Sequence, residues 1–241
     1  MDQLLIALDV ESAARALALA DALADLAGGF KIGNRLFTAE GPGIVRALAG
    51  RSRRVFLDLK YHDIPNTVAA AVGEAARLGV WMVNVHAAGG RRMMRAAADA
   101  ARDAAAHVGA TPPLVIAVTV LTSMNAETLA ETGVRAPVLD QVVTLARLAQ
   151  ASGLDGIVAS PQETGIIRRE CGPAFTIVTP GIRDRSSHSA PGDDQERTLD
   201  AGEAIAAGAS YLVVGRPIIG APDPRAAAER LAEAIARSIS R

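Results

Sequence analysis

The run Leu4-Leu5-Ile6-Ala7-Leu8-Asp9-Val10-Glu11-Ser12 separates two architectures. Its apolar part reads as a strand, and Ser12 is placed to cap a helix reaching to about residue 27. The turn between them, Asp9-Val10-Glu11-Ser12, contains no glycine. A doubly wound open sheet carries a glycine-rich phosphate turn after its first strand. A glycine-free turn at this place favours the other parallel arrangement, a closed barrel.

The rest of the chain repeats the same unit. Short apolar runs predict strands at residues 4–9, 30–33, 55–60, 81–86, 114–121, 156–159, 175–179 and 211–214. Alanine-rich stretches predict helices over 12–27, up to about 50, and over 67–78, 91–107, 126–130 with 138–151, 162–170, 199–207 and 224–239. Alternating strand and helix implies a parallel sheet. Eight such units in 241 residues fit a (β/α)₈ TIM barrel, whose typical length is about 250 residues. No linker or low-complexity segment interrupts the alternation, so the reading is α/β: a single barrel domain spanning 1–241.

Composition narrows the function. Half the residues are hydrophobic, which excludes a disordered chain, and the net charge of -1 argues against a broad nucleic-acid or membrane footprint. One cysteine, Cys171, excludes an intrachain disulfide and a cysteine metal cluster. No stretch has the length of a membrane span, and the N-terminus lacks a basic leader with a cleavage site, so a cytoplasmic protein is expected.

The basic residues carry the strongest chemical signal. Of 25, only Lys31 and Lys60 are lysine. Arginine stays protonated, whereas lysine is a compact donor able to give up a proton. Both lysines fall on predicted strands. In the third strand, period-2 alternation puts Val55, Leu57 and Leu59 on one face and Phe56, Asp58 and Lys60 on the other. Asp9 ends the first strand in line with Leu5 and Ala7, and Lys31 lies on the second. Function in a barrel of this type sits at the C-terminal ends of the strands. Three neighbouring strands thus bring Asp9, Lys31, Asp58 and Lys60 to one mouth, and Asp63, just past the third strand, adds a further carboxylate. A purely structural ion-pair network would be a poor stabiliser, because desolvation offsets the Coulomb gain.

The end of the chain supplies an anion site. Thr179-Pro180-Gly181-Ile182-Arg183 follows the seventh strand, and Gly215-Arg216-Pro217-Ile218 follows the eighth. Loops at these positions commonly bind phosphate through glycine amides and a helix start, and two arginines can grip it bidentately. Residues 184–194 form a long polar loop that reads as a lid.

Asp58-Leu59-Lys60-Tyr61-His62-Asp63-Ile64-Pro65-Asn66-Thr67 resembles the signature of the orotidine 5′-phosphate decarboxylase family. Leu8-Asp9, Phe30-Lys31-Ile32-Gly33, the segment 179–183 and Val214-Gly215-Arg216-Pro217 extend the resemblance over essentially the whole chain. The resemblance implies decarboxylation of orotidine 5′-monophosphate to UMP and CO₂, with no cofactor and no metal. It implies that Lys60 is the proton donor in an array with Lys31, Asp58 and Asp63. Asp9 and Lys31 would contact the ribose and Thr122 the pyrimidine. Pro180, Arg183, Gln195, Gly215 and Arg216 would lie on the phosphate side, with the long loop blurring the alignment of Gln195. It also implies a homodimer with sites at the interface, into which Asp63 and Thr67 of each chain reach, and neither a nucleic-acid nor a membrane partner. His62, His86 and His188 could serve as acid–base groups, although this chemistry needs no general base, and His86 reads better as a hydrogen-bonded wall residue.

Two alternatives stand beside this reading. Sugar-phosphate decarboxylases and aldolase-type synthases of the same barrel group share an Asp-x-Lys-x-x-Asp core but use Mg²⁺, held partly by an acidic residue near the end of strand two. Here Lys31 takes that place, and its charge would repel a metal. A non-catalytic nucleotide-binding barrel would bind without turnover, and has no reason to keep its only two lysines at the mouth.

Overall fold

The computed structural model describes residues 2–183 and 199–239. Eight parallel strands close into a barrel in the order β1-β10-β7-β6-β5-β4-β3-β2. They are β1 (Leu4–Ala7), β2 (Gly29–Gly33), β3 (Val55–Tyr61), β4 (Met82–His86), β5 (Leu114–Val118), β6 (Gly156–Val158), β7 (Thr176–Thr179) and β10 (Tyr211–Val214). A separate pair, β8 (Ile182–Arg183) and β9 (Leu199–Asp200), forms a two-stranded parallel sheet beside the barrel rim.

Helices fill the connections: α1 (Ala13–Ala22), α2 (Asn34–Glu40), α3 (Pro42–Ala49), α4 (Pro65–Arg77), α5 (Gly90–His107), α6 (Ala126–Glu131), α7 (Val138–Ala151), α8 (Pro161–Cys171), α9 (Ala201–Ala206), α10 (Arg216–Ile219) and α11 (Pro224–Ile239). Ser12 caps α1, its side chain accepting from the Arg15 N–H. The helical stretch before Gly50 is two helices, because Gly41 at φ +65 ends the first and Pro42 starts the second. Leu199 belongs to a strand rather than to the following helix, whose cap is Asp200.

Alternation sorts the strand residues into two cores. Leu5, Ala7, Phe56, Met82, Ile116, Val178 and Val213 fill the barrel interior. Leu4, Ile6, Val55, Leu57, Val83 and Ile157 pack outward beneath the helices. At the N-terminal end, Trp81 meets Tyr211 edge-on at 5.1 Å and lies under the Arg54 guanidinium at 5.4 Å. That end is plugged by aromatic packing, which leaves the C-terminal mouth for chemistry.

Candidate active site

Burial on both faces makes a parallel strand largely apolar, so the charges that do enter, Lys31 within β2 and Asp58 and Lys60 within β3, must be paired. β1 stops at Ala7, yet the Leu8 N–H still donates to the Lys31 carbonyl at 2.9 Å. That bond carries Asp9 alongside the end of β2. The Lys31 ammonium then lies 3.1 Å from Asp9 Oδ1 and 3.3 Å from Asp58 Oδ2. Lys60 Nζ donates to Asp58 Oδ1 at 2.7 Å. Asp9, Lys31, Asp58 and Lys60 form a line of alternating charge across three adjacent strands, as alternation and strand order predict.

The two central members are locked and the two ends are open. Lys31 and Asp58 are 8% and 9% exposed. The side chains of Asp9 and Lys60 are 47% and 31% exposed. Burial opposes charge on Lys31, but the Asp58 and Asp9 carboxylates outweigh it and hold the ammonium above the ordinary lysine range. Burial likewise pushes the Asp58 carboxyl up, and Lys31 and Lys60, with hydrogen bonds from Lys60 and Asn84, reverse this and hold it below the usual carboxylate range. Lys60 spends one of its three donors on Asp58 and keeps the others at the open mouth.

Gly33 makes room for this line. A β-carbon there would stand 2.9 Å from Lys31 Nζ and 3.0 Å from Asp9 Oδ1. The end of β3 is irregular. Leu57 pairs with Val83 and Tyr61 with Val85, so Asp58, Leu59 and Lys60 stand opposite the single residue Asn84. Lys60 adopts φ +54. Sequence reasoning passed over Asn84, although an amide between Met82 and His86 on an inward face was the available signal.

Asp63 lies apart from this line in its own chain. After β3 the backbone turns, and Asp63 Oδ1 accepts the Ile64 N–H at 2.6 Å. Among the described residues, the ion pair of Lys60 runs to Asp58. Asp63 and Thr67 are exposed at the rim, beside an Ile64 that is 66% exposed. The ring of His86 lies 5.4 Å from that of His62. Burial first, then His62 and Lys60, lower the His86 pKa against an opposing pull from Asp58, which suits a neutral wall group.

The expected anion side adjoins the charged line because β10 pairs with β1. Gly215 caps the short α10 that begins with Arg216, and a β-carbon on Gly215 would come 3.7 Å from Asp9 Oδ2. Pro180 and Gly181, at φ +80, lead from β7 into β8. Beneath them, Thr179 meets Thr164 at 3.3 Å between hydroxyls, and Glu163 accepts the Ser160 N–H at 2.8 Å. This buried polar group ties β7 to α8. Thr122 lies half-buried in the loop after β5. The backbone of Arg183 is in β8; its side chain, the lid 184–194 with His188, and Gln195 lie outside the described residues.

The arrangement can place a fixed positive charge and a transferable proton beside a reacting atom, with a carboxylate behind it. The two carboxylates that a cation would need, Asp9 and Asp58, are already bridged by Lys31. No helix among the described residues is long and apolar enough to cross a membrane.

Comparison with known proteins identifies the family. Residues 2–231 match the family described as Orotidine 5′-phosphate decarboxylase / HUMPS. An orotidine 5′-phosphate decarboxylase of Syntrophotalea carbinolica is 52% identical over 237 residues, 98% of this chain and 96% of that one. One of Moorella thermoacetica is 52% identical over 235 residues, 97% of this chain and 92% of that one. The crystal structure of orotidine 5′-phosphate decarboxylase from Lactobacillus acidophilus superposes with a TM-score of 0.85 at 34% identity, covering 98% of this chain and 99% of that one.

Proposed function

This chain belongs to the orotidine 5′-phosphate decarboxylase / HUMPS family, and on that premise we propose that it converts orotidine 5′-monophosphate to UMP and CO₂ in pyrimidine synthesis. The observation that carries the reading is the line Asp9–Lys31–Asp58–Lys60, whose three ion-pair distances are 3.1, 3.3 and 2.7 Å.

The chemistry asks for such a line. Breaking the bond between the ring carbon and the carboxylate releases CO₂ and leaves the electron pair on that carbon. Lys60 stabilises the pair with its ammonium and then donates a proton to it, forming the C–H bond of UMP. Preorganised charge in a site shielded from water is the strongest tool for this step. Asp58 aims Lys60 and stands where the substrate carboxylate would be repelled. Ground-state repulsion of that kind is a contested contribution, so the positioning of Lys60 is the part on which the reading depends.

Remote groups hold the rest of the nucleotide. Asp9 and Lys31 take the ribose hydroxyls and Thr122 the pyrimidine. Arg183, Gln195, Gly215 and Arg216, with Pro180 shaping the loop, take the phosphate. Binding energy gathered there can be spent on the chemical step. Asp63 acts in the site of a second copy: its own Lys60 is out of ion-pair reach, and the exposed Ile64 beside it offers apolar surface for a partner to cover. On this reading the working unit is a homodimer in the cytoplasm, without a nucleic-acid partner.

Loss of orotidine 5′-monophosphate absorbance with purified protein, in EDTA and then with added Mg²⁺, tests the reading. Equal turnover in both supports a metal-free decarboxylase. Turnover on sugar phosphates alone, dependent on Mg²⁺, would move the chain to the metal-using branch of the barrel group.

A further inference from the structure

Asn84 is a buried amide that the mechanism above does not use. It is 1% exposed, at the centre of β4 on the face that looks into the barrel. Asparagine is disfavoured inside strands, so its presence needs a reason. Two hydrogen bonds supply one. Asn84 Oδ1 accepts the backbone N–H of Lys60 at 2.8 Å, and Asn84 Nδ2 donates to Asp58 Oδ1 at 2.7 Å. The Lys60 ammonium touches that same Asp58 oxygen.

The bulge explains why a side chain must do this. With three residues of β3 facing Asn84 alone, the regular ladder between the strands is interrupted at Lys60. A half-buried N–H left without a partner is costly, and φ +54 is disfavoured for a residue with a β-carbon. Conformations of this type persist only where the surroundings over-determine them, and they cluster at functional sites. The amide of Asn84 meets both demands at once. Its oxygen replaces the missing carbonyl, and its nitrogen fixes the carboxylate that holds the ammonium.

We propose that Asn84 is a positioning residue for the decarboxylation, setting the backbone of Lys60 and one oxygen of Asp58 so that the ammonium reaches a single point in the mouth. The inference rests on the reading of Lys60 as the proton donor. An amide is the group required: an aspartate keeps the acceptor for the Lys60 N–H but sets a second carboxylate against Asp58, and an alanine offers neither bond.

Native protein, Asn84→Ala and Asn84→Asp are compared for UMP binding and for kcat and KM on orotidine 5′-monophosphate. Both variants are expected to bind UMP within about threefold of native and to show little change in KM, with kcat lower by at least about 100-fold. Asn84→Asp, matched in shape, decides the matter should Asn84→Ala fail to fold. Native-like kcat in the folded variants overturns the inference. So does a parallel loss of UMP affinity and kcat in Asn84→Asp, which would mark a residue that only holds the barrel together. A native protein inactive on orotidine 5′-monophosphate overturns the decarboxylase reading and this inference with it. An active native protein with active variants overturns the inference alone.

Discussion

Asp58 accepts the Lys60 ammonium on Oδ1 at 2.7 Å from two residues earlier in the same strand. Alternation puts both side chains on the inward face. The bulge and the positive φ of Lys60 shape the approach of one to the other. Because Lys31 takes the second oxygen of Asp58, one carboxylate serves two cations.

Removing that carboxylate leaves Lys31 buried without its buried partner, with the more exposed Asp9 remaining. Asp58→Ala is expected to lose about 3–5 kcal/mol of stability at pH 7, as breaking a buried ion pair does. Urea unfolding measures it. The Asp58 pKa lies below its unfolded value of 3.8, so its contribution is fully present above pH 3.8 and is lost as pH falls through the folded value. A deficit that persists unchanged at pH 7 and vanishes in strong acid is the expected pattern; no deficit at pH 7 would contradict the buried network.

Gly33→Ala tests the room left for the line. The new β-carbon would meet Lys31 Nζ at 2.9 Å, the far end of a flexible side chain, so the barrel should fold. Displacing the ammonium is expected to lower kcat/KM about tenfold or more. Steady-state kinetics beside a thermal melt separates this from unfolding, and an unaltered kcat/KM would show that the close approach is immaterial.

His86 provides a pH signature. Its folded pKa is below the ordinary 6.5, so the unfolded chain binds the proton first. Stability from its neutral form is complete above pH 6.5 and declines as pH falls from there to the folded value. Melting midpoints between pH 7 and pH 5 should fall less in His86→Gln than in native protein. Parallel curves would argue that His86 does not titrate in this environment.

Arg216→Ala probes the phosphate side. A charge-assisted contact is worth about 1.5–3 kcal/mol, so kcat/KM on the nucleotide should fall between about tenfold and 100-fold. On the nucleoside, which lacks phosphate, the variant and native protein should be nearly equal. Equal losses on both substrates would place Arg216 elsewhere in the mechanism.

Much of this was readable in the residues. The eight barrel strands follow from apolar runs of the right length, and the line of four charges follows from strand order and a period of two. What escaped had physical reasons. The β8–β9 pair joins short segments far apart in sequence, with no periodicity to mark them. Nothing in Leu59-Lys60-Tyr61 announces a left-handed residue, because the conformation is imposed by the neighbouring strand. Asp63 stands apart from the line of its own chain, its Oδ1 accepting the Ile64 N–H, so its place in the array rests on the second copy proposed above. Asn84 carried a signal, a polar residue on an inward face, but its partners come from another strand.

The most direct test of the central claim is turnover of orotidine 5′-monophosphate in EDTA by native protein and by Lys60→Ala, with UMP binding measured for both. The account predicts rapid decarboxylation by the native protein and a loss of several orders of magnitude in the variant, with UMP still bound. Comparable turnover by the variant would contradict the placing of the proton donor at Lys60.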